Sequence, residues 1–340
     1  MTSKEIITRV IEHNNPPRIG FDFSAPYPSD FKFIGAARLM PEYIYPREYY
    51  GWGVHKGLQE IVPWFRGEVM ADIFGNIYGR LNGITKGECI KGFLDDWSKL
   101  EKLKIPAIDV KYYDELKQQL KACEQFAVAV LPMQVFSNLR DIRLMDNALM
   151  DTLLEPEKVE EFLEIVIKMD IQACEYLRNT GADAVMFFDD WGTQDRTFIS
   201  PAIFEKLFKP SYKKICEAAH AAGLKVFMHS CGKNNGIVGH LAEAGIDVFQ
   251  FDQPNVYPIS WLAENFGSKA TFYLPVDIQK VMPTGDRELI ERNALDMVNA
   301  FKAVGGALIA KDYSPWSDIN VKEEWATWAR DIIIKNAELN

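Results

Sequence analysis

The sequence predicts an α/β fold, a (β/α)8 TIM barrel, and three observations support this prediction. Short apolar runs recur along the last two thirds of the chain, and segments of helical periodicity separate most of them. The runs are continuous rather than alternating, which is typical of parallel strands covered on both faces. The length of 340 residues suits one barrel with insertions.

The apolar runs supply all but one of the strands that a barrel needs. They lie at 18–23, 126–131, 184–188, 225–229, 247–251, 270–275 and 306–310. Helical periodicity is found at 156–179, 201–222, 234–244 and 286–304. So many alternating units exceed a small open sheet, so closure into a barrel is the simplest arrangement. A doubly wound open sheet is the alternative.

The region 24–105 differs from the rest of the chain. It is richer in Pro, Tyr, Trp and Gly, and it lacks the alternation of strands and helices. We interpret it as an N-terminal elaboration over the barrel mouth, within one domain that spans residues 1–340. Turn-forming residues predict a hairpin near Gly75, Asn76 and Gly79. The start of the chain predicts an amphipathic helix capped by Thr2 or Ser3.

Composition excludes several classes of protein. The formal net charge is −10, which argues against nucleic-acid and anionic-membrane partners because no basic field is available for phosphates. No segment has the length and apolarity of a membrane span, and the charged start does not resemble a signal peptide, so a cytoplasmic location is expected. The cysteines are odd in number and widely spaced, which indicates free thiols.

Polar residues follow five successive predicted strands. In a parallel barrel the working groups lie at the C-terminal strand ends and in the loops after them, so we expect the site there. Asp189 and Asp190 alternate in direction, and only one of them faces the mouth easily. The residues expected to contact substrate are Trp191, Gln194, Asp252, Lys311 and Tyr313. Packing of the aromatic residues within the fold is the alternative interpretation of that group.

The tripeptide His229-Ser230-Cys231 ends one predicted strand and forms the sharpest motif. Residues i and i+2 of a strand project from the same face, so the imidazole and the thiolate point together into the mouth. Nitrogen and sulfur donors suit Zn²⁺, which needs a third protein ligand and an open position for catalysis. Asp312 and Asp190 are the leading candidates for the third ligand. The alternative is a hydrogen-bonded histidine beside a buried thiol.

Three segments resemble the uroporphyrinogen decarboxylase-like superfamily, which includes zinc-dependent methyltransferases that work with corrinoid proteins. They are EIITRVIEHNNPPRIGFDF, FFDDWGTQDRTFISPAIFEKLFKPSYKKI and GLKVFMHSCG. The first is similar to the first helix and strand of the family. The second is similar to the decarboxylase turn with Ser-Pro, Phe and Pro, and the third to the methyltransferase His-x-Cys strand. The resemblance implies the barrel independently of the strand count.

The decarboxylase branch fits this sequence less well. Arg38 matches one arginine of the family's N-terminal segment, but Ile34 stands where the first arginine is expected. The final strand, IAKDYSPW, lacks the family's histidine. Asp72, in ADIF, matches the family's catalytic aspartate, although the segment also fits a turn. A polycarboxylate substrate needs several cationic partners, and their loss disfavours decarboxylation of a porphyrinogen.

The methyltransferase branch matches at His229 and Cys231, the positions of two zinc ligands. Lys311 and Asp312 stand where the thiol-methylating members have a cysteine, so the resemblance implies an O-demethylase-like member with a carboxylate ligand. It further implies a small methoxy or methylamine-type donor and a corrinoid on a separate carrier protein as acceptor. Asp190 or Asp189 would donate a proton or complete the zinc shell. A non-catalytic ligand-binding barrel is the third possibility.

Overall fold

A computed structural model of the chain describes residues 1–81 and 87–339. Its largest sheet has eight parallel strands, named here β1 to β8 in chain order. They are Gly20–Asp22, Phe31–Ile34, Phe126–Val130, Ala184–Phe188, Lys225–His229, Val248–Gln250, Thr271–Leu274 and Leu308–Lys311. Each of β2 to β7 pairs with the next strand in the chain, and β8 pairs with β1, as a barrel requires. The (β/α)8 prediction is confirmed.

The ring of strands comes together between β1 and β2, where Asp30 joins them. The carboxylate of Asp30 accepts hydrogen bonds from both terminal nitrogens of Arg18 at 2.8 Å and from the backbone N–H of Phe21. The segment between these strands runs back along β1, with an antiparallel bridge between Asp22 and Ser29. Because no helix separates the two strands, periodicity alone did not reveal β2.

The helices are α1 to α12 in chain order. They are Ser3–Ile11, Lys56–Ile61, Val110–Leu120, Val135–Arg143, Met145–Leu154, Pro156–Leu177, Pro201–Ile203, Lys209–Ala221, Val238–Ala244, Ile259–Phe266, Arg287–Lys302 and Glu323–Lys335. A π-helical turn, Phe204–Phe208, separates α7 from α8 within the predicted 201–222 helix. Shorter 3-10 segments are Arg47–Tyr50, Trp97–Lys102, Pro254–Val256, Met282–Thr284 and Trp316–Ile319.

Helix α1 closes the N-terminal end of the barrel. Thr2 caps its start, which confirms one of the two predicted caps, and it forms a reciprocal capping box with Glu5. The apolar face of α1 joins the interior cluster of the barrel through Ile6, Ile7, Val10 and Ile11. A side chain at Gly20 would meet the side chains of Ile7 at 2.5 Å and Ile309 at 2.9 Å, so glycine at this position leaves room for α1 to pack against β1.

The predicted elaboration at 24–105 requires a correction, because β2 lies inside it and belongs to the barrel. The remainder includes an antiparallel sheet of Glu68–Ala71, Ile77–Arg80 and Glu88–Lys91, and Leu39–Met40 pairs with Ala107–Ile108. The predicted hairpin is confirmed; its turn contains Gly75 at φ +89, whereas Gly79 lies in a strand. Residues 82–86 of this region lie outside the described residues. In the described parts of the chain, no helix is long and apolar enough to cross a membrane.

Candidate metal centre at the barrel mouth

Strand β5 carries the predicted ligands to the mouth. His229 is its last residue, and the Sγ atom of Cys231 lies 3.4 Å from the Nε2 atom of His229. His229 is level with Phe188 of β4 and Gln250 of β6, so it lies among the inward-facing side chains. The two side chains converge because they project from the same face of one extended segment.

Asp190 is the third member of the group. One of its carboxylate oxygens lies 3.4 Å from Nε2 of His229 and accepts a hydrogen bond of 2.8 Å from the backbone N–H of Cys231. The two loops that carry Asp190 and Cys231 meet at Gly192 and Gly232. Gly232 has φ +77, and a side chain there would lie 2.1 Å from the carbonyl oxygen of Gly192. This close backbone contact fixes Asp190 beside Cys231.

The donor set fits a zinc ion. Among the described residues, Asp190, His229 and Cys231 are the one group of three potential ligands whose donor atoms all lie within 4.8 Å of one another. Tetrahedral zinc with bonds of roughly 2.0–2.3 Å places nitrogen and oxygen ligands about 3.4 Å apart and nitrogen and sulfur ligands about 3.6 Å apart. The 3.4 Å separations seen here match those edges. Three protein ligands would leave one position open, as in catalytic zinc sites.

Gln250 orients His229, and sequence reasoning missed it. Its Oε1 atom contacts Nδ1 of His229, and its Nε2 donates to Asp252 at 2.7 Å. Asp252 in turn pairs with Lys311 at 2.7 Å. An imidazole that donates from Nδ1 presents the lone pair of Nε2 toward a metal. Register would have revealed Gln250, because it is the β6 partner of His229.

Two ionisable groups in this network, the His229 imidazole and the Asp252 carboxyl, have shifted pKa values. Burial by itself favours the neutral imidazole, but hydrogen bonds to Asp190 and Cys231 raise the pKa of His229 to about 10. Burial opposes ionisation of Asp252 too, yet the nearby Lys311 ammonium lowers the pKa of this carboxyl. Of the predicted substrate-contact residues, Asp252 and Lys311 therefore lie beside the metal ligands, as an ion pair.

Asp189 lies on the other side of the β4 end, fully buried behind the sheet. Its carboxylate accepts hydrogen bonds from the backbone N–H groups of Val135, Phe136 and Ser137, and from the hydroxyl of Tyr212. It therefore caps α4, whose own N-cap residue makes no side-chain cap. Burial raises the pKa of Asp189 to about 6 despite these hydrogen bonds. The structure does not bring Asp189 to the mouth, where a catalytic acid was expected.

Trp191 is also buried, not part of a substrate wall. Its ring stacks on Phe136 at 4.1 Å, and its Nε1 atom donates to the hydroxyl of Tyr212 at 2.8 Å. Trp191 therefore packs within the fold, which was the alternative to its predicted contact with substrate. Gln194 is exposed in the loop between the bridged residues Gly192 and Thr197.

Asp312 does not join the metal ligands, which corrects its prediction as the third one. Both of its carboxylate oxygens pair with the guanidinium of Arg330, at 3.0 and 2.8 Å, and one accepts from the backbone N–H of Ser24. Asp312 follows Lys311 and therefore points away from the barrel interior, toward α12. Tyr313, half-buried, lies with its ring 6.4 Å from that of Trp316.

The β2–β4 side of the mouth is apolar. Phe33 and Phe188 are 43% and 39% exposed, and Val130 of β3 is half-buried between them in strand order. The Phe188 ring centroid lies 5.6 Å from that of His229. The mouth thus has an apolar side, defined here as Phe33, Val130 and Phe188, next to the metal ligands.

Comparison with known proteins identifies the family. Residues 91–310 match the family described as Uroporphyrinogen decarboxylase (URO-D). The chain belongs to the uroporphyrinogen decarboxylase family. A stretch of 100 residues, 29% of the chain, is 30% identical to "Uroporphyrinogen decarboxylase 2, chloroplastic" of Arabidopsis thaliana. The chain spans only 24% of the length of that relative.

The fold of this family member also resembles a solved structure, described as a methyltransferase from Methanosarcina mazei. The two chains superpose with a TM-score of 0.59 over 98% of this chain and 99% of the other, at 13% sequence identity. At this identity the likeness shows the shared fold. The family match includes Asp190, His229 and Cys231, the three residues of the candidate metal centre.

Two positions of the decarboxylase motifs have structural roles. Asp72 accepts hydrogen bonds from the backbone N–H groups of Phe74 and Asn76 and from the Asn76 amide, so it shapes the hairpin turn. Burial raises the pKa of its carboxyl. Arg38 is exposed and lies within 3.6 Å of Asp109 and 3.5 Å of Glu115. The partners of Asp72 and Arg38 are thus residues other than the metal ligands.

Proposed function

We propose that the protein is a zinc-dependent methyltransferase that moves a methyl group from a small methoxy or methylamine-type donor to a corrinoid protein. The observation that carries this proposal is the convergence of His229, Cys231 and Asp190 at the barrel mouth. The donor set and its spacing favour zinc, and membership of the family supports a catalytic barrel.

The residues have distinct roles in this proposal. His229, Cys231 and Asp190 would hold the ion, and the heteroatom of the donor would take a position that these three ligands leave open. Zinc there would supply Lewis-acid stabilisation of the negative charge that develops on that heteroatom. Gln250 fixes the imidazole so that Nε2 faces the ion. Since Asp189 is buried behind the sheet, and Asp190 as a metal ligand is a carboxylate without a proton, the proton for the leaving group is expected from solvent.

The methyl acceptor is expected on a separate corrinoid carrier protein. A methyl ether or amine is a weak electrophile, so a strong nucleophile such as cob(I)alamin must be held in line with it. The carrier must approach the mouth, and the 40–66 stretch is our candidate for its docking surface. This stretch exposes large apolar side chains, which is common at interfaces. They include Met40, Tyr43, Val54 and Trp64.

Decarboxylation of a porphyrinogen-like substrate is the second candidate, and the family match and the Arabidopsis relative favour it. That substrate needs cationic partners for its carboxylates. Of the cations discussed here, Lys311 already pairs with Asp252, and Arg38 with Asp109 and Glu115. Tetrapyrrole binding without metal would support this candidate, and ligand binding without turnover would support a non-catalytic barrel.

Metal analysis of the untagged chain tests the leading proposal. We expect close to one zinc per chain and near-complete loss in Cys231→Ala, because the variant removes one of three ligands. Cys123→Ala is the matched control: this thiol is half-buried and contacts the carbonyl of Gln125, and its removal should leave the zinc content unchanged. Equal, substoichiometric zinc in wild type and Cys231→Ala would reject the metal site.

A further inference from the structure

The backbone that carries Cys231 is held by hydrogen bonds from both neighbouring strand ends. Strand β5 ends at His229, so Cys231 lies in the loop that follows it. Each of the five backbone N–H groups of residues 230–234, called here the Cys231 loop, donates to a group outside the loop. The acceptors are, in order, the Gln250 carbonyl, the Asp190 carboxylate, the Gln253 side-chain oxygen, the Thr193 carbonyl and the Tyr257 hydroxyl.

The chain after β6 supplies three of the hydrogen bonds to this loop. The hydroxyl of Tyr257 accepts from the backbone N–H of Asn234 and donates to the carbonyl oxygen of Gly232 at 3.1 Å. The side-chain oxygen of Gln253 accepts from the N–H of Gly232, also at 3.1 Å. Tyr257 and Gln253 therefore fix the residues that directly follow Cys231, although neither is one of the three candidate ligands.

Packing determines where the Tyr257 hydroxyl lies. Tyr257 is only 4% exposed, and its ring stacks with that of Phe251 at 5.8 Å and with that of Trp261 on α10 at 6.1 Å. Asn234 is fully buried, so its backbone N–H needs an acceptor inside the protein. The hydroxyl is thus a fixed point to which the Cys231 loop is tied.

Asn234 connects the same loop to the segment that carries Asp190. Its Nδ2 atom donates to the hydroxyl oxygen of Ser230 at 2.8 Å. That oxygen accepts from the backbone N–H of Trp191, the residue after Asp190, at 3.2 Å. The contacts from the β6 side therefore support both loops that contribute metal ligands.

We propose that Tyr257, assisted by Gln253, is a positioning residue that holds the Cys231 thiolate in place for the metal ion. This inference rests on the proposed function. The Sγ atom of Cys231 already lies 3.4 Å from Nε2 of His229, a separation suited to two ligands of one ion. Because the loop is fixed before the ion arrives, metal binding does not have to order it, and affinity increases accordingly.

The test compares three conservative variants of the full chain. Tyr257→Phe removes the hydroxyl and keeps the ring, and Gln253→Leu removes the second acceptor at similar volume. Tyr113→Phe is the matched control, because this tyrosine of α3 is equally buried and its hydroxyl has no hydrogen-bond partner among the described residues. Zinc affinity is measured by chelator competition, the metal geometry by the absorption spectrum of the Co²⁺-loaded protein, and loop order by hydrogen exchange of the metal-free protein.

We expect Tyr257→Phe to weaken zinc binding roughly tenfold or more, Gln253→Leu to weaken it less, and Tyr113→Phe to match wild type. In metal-free Tyr257→Phe the amides of the Cys231 loop should exchange faster, because the N–H of Asn234 loses its acceptor. The thiolate-to-cobalt absorption should be weaker or shifted even at saturating Co²⁺, since the sulfur is displaced. A role in stability alone would leave the spectrum of the folded, loaded protein unchanged.

The outcomes separate this inference from the proposed function. Equal zinc affinity of Tyr257→Phe and Tyr113→Phe, or a wild-type cobalt spectrum in Tyr257→Phe, would show that the inference is wrong while the metal site stands. If Tyr257→Phe does not fold, Gln253→Leu gives the same readouts, and wild-type behaviour of that variant would overturn the inference. If the wild-type chain binds neither Zn²⁺ nor Co²⁺, the proposed function fails together with the metal role of Tyr257.

Discussion

Asp189 and Asp190 are consecutive residues, yet they belong to two different regions of the molecule. Asp189 lies in the layer between sheet and helices, where four donors surround its carboxylate. Asp190 lies in the mouth, partly exposed, beside His229 and Cys231. Lys311 and Asp312 repeat the contrast: Lys311 faces the mouth, and Asp312 pairs with Arg330 behind the sheet.

The difference teaches how to distinguish structural polar residues from functional ones at these strand ends. In the outer layer each carboxylate is matched by fixed donors of the fold, as buried polar groups must be. In the mouth the donor atoms converge on one another and are arranged around a point that a cation can fill. We therefore expect substitutions in the outer layer to change stability, and substitutions in the mouth to change zinc binding.

Asp312→Ala should have the largest effect on stability. The variant leaves the guanidinium of Arg330, 2% exposed, without its bidentate partner. Removing one partner of a buried pair costs about 3–5 kcal/mol, and the remaining contact with Glu323 favours the lower end. Urea denaturation of the metal-free protein measures this loss. Asp296→Ala, which removes an exposed carboxylate of α11, serves as the control.

The same samples test whether Asp312 belongs to the metal site. Zinc content per folded chain should be unchanged in Asp312→Ala, because Arg330 and Ser24 occupy its carboxylate. A normal unfolding midpoint combined with loss of zinc would place Asp312 in the mouth after all and break the comparison.

Asp189→Ala and Asp190→Ala should change different properties: the first should lower the free energy of unfolding, and the second should lower the affinity for zinc. Asp189→Ala leaves three N–H groups of α4 and the Tyr212 hydroxyl without their acceptor, which we expect to cost about 2–3 kcal/mol of unfolding free energy. Asp190→Ala should change the stability of the metal-free chain by less than about 1 kcal/mol. It should weaken zinc binding by at least about 100-fold, since a ligand is lost.

Each variant is the control of the other, since they differ by one position and by the face that they occupy. Denaturation and a zinc competition titration on both proteins give the two readouts. Loss of zinc affinity in Asp189→Ala at full stability, or equal effects of the two variants, would mean that the two sides are not independent.

Much of the fold follows from the sequence because buried parallel strands are continuous apolar runs. That pattern is evident in β3 to β8, as in Phe126–Val130 and Lys225–His229. β2 was missed because Phe31–Ile34 contains Lys32 and follows β1 without a helix. The break between α7 and α8 was missed because a single π-helical turn is a short bulge in an otherwise helical segment, and its small shift of phase does not stand out in the periodicity of the sequence.

The site was predictable where it depends on local geometry. The i, i+2 spacing of His229 and Cys231 determined their shared face, and strand alternation separated Asp189 from Asp190. The third ligand was not determined, because Asp190 and Asp312 are equivalent in sequence and only the positions of Arg330 and Cys231 distinguish them. Gln250 was missed since its contact with His229 depends on the register of β5 and β6, which the sequence does not determine.

The smallest expected effect concerns Gln250, which touches no metal but holds His229. Gln250→Leu has similar volume and removes both the acceptor of Nδ1 and one donor to Asp252, whose ion pair with Lys311 remains. We expect zinc affinity to fall by about 10- to 100-fold, the usual range for residues that orient a ligand, with little loss of stability.

Gln250→Glu keeps an acceptor for Nδ1 and should bind zinc more tightly than Gln250→Leu, although its charge is opposed by Asp252. Gln172→Leu, an exposed change on α6, is the control. Competition with a chelator of known affinity measures all four proteins, and equal losses in the two Gln250 variants would show that this residue acts by packing rather than by orienting the imidazole.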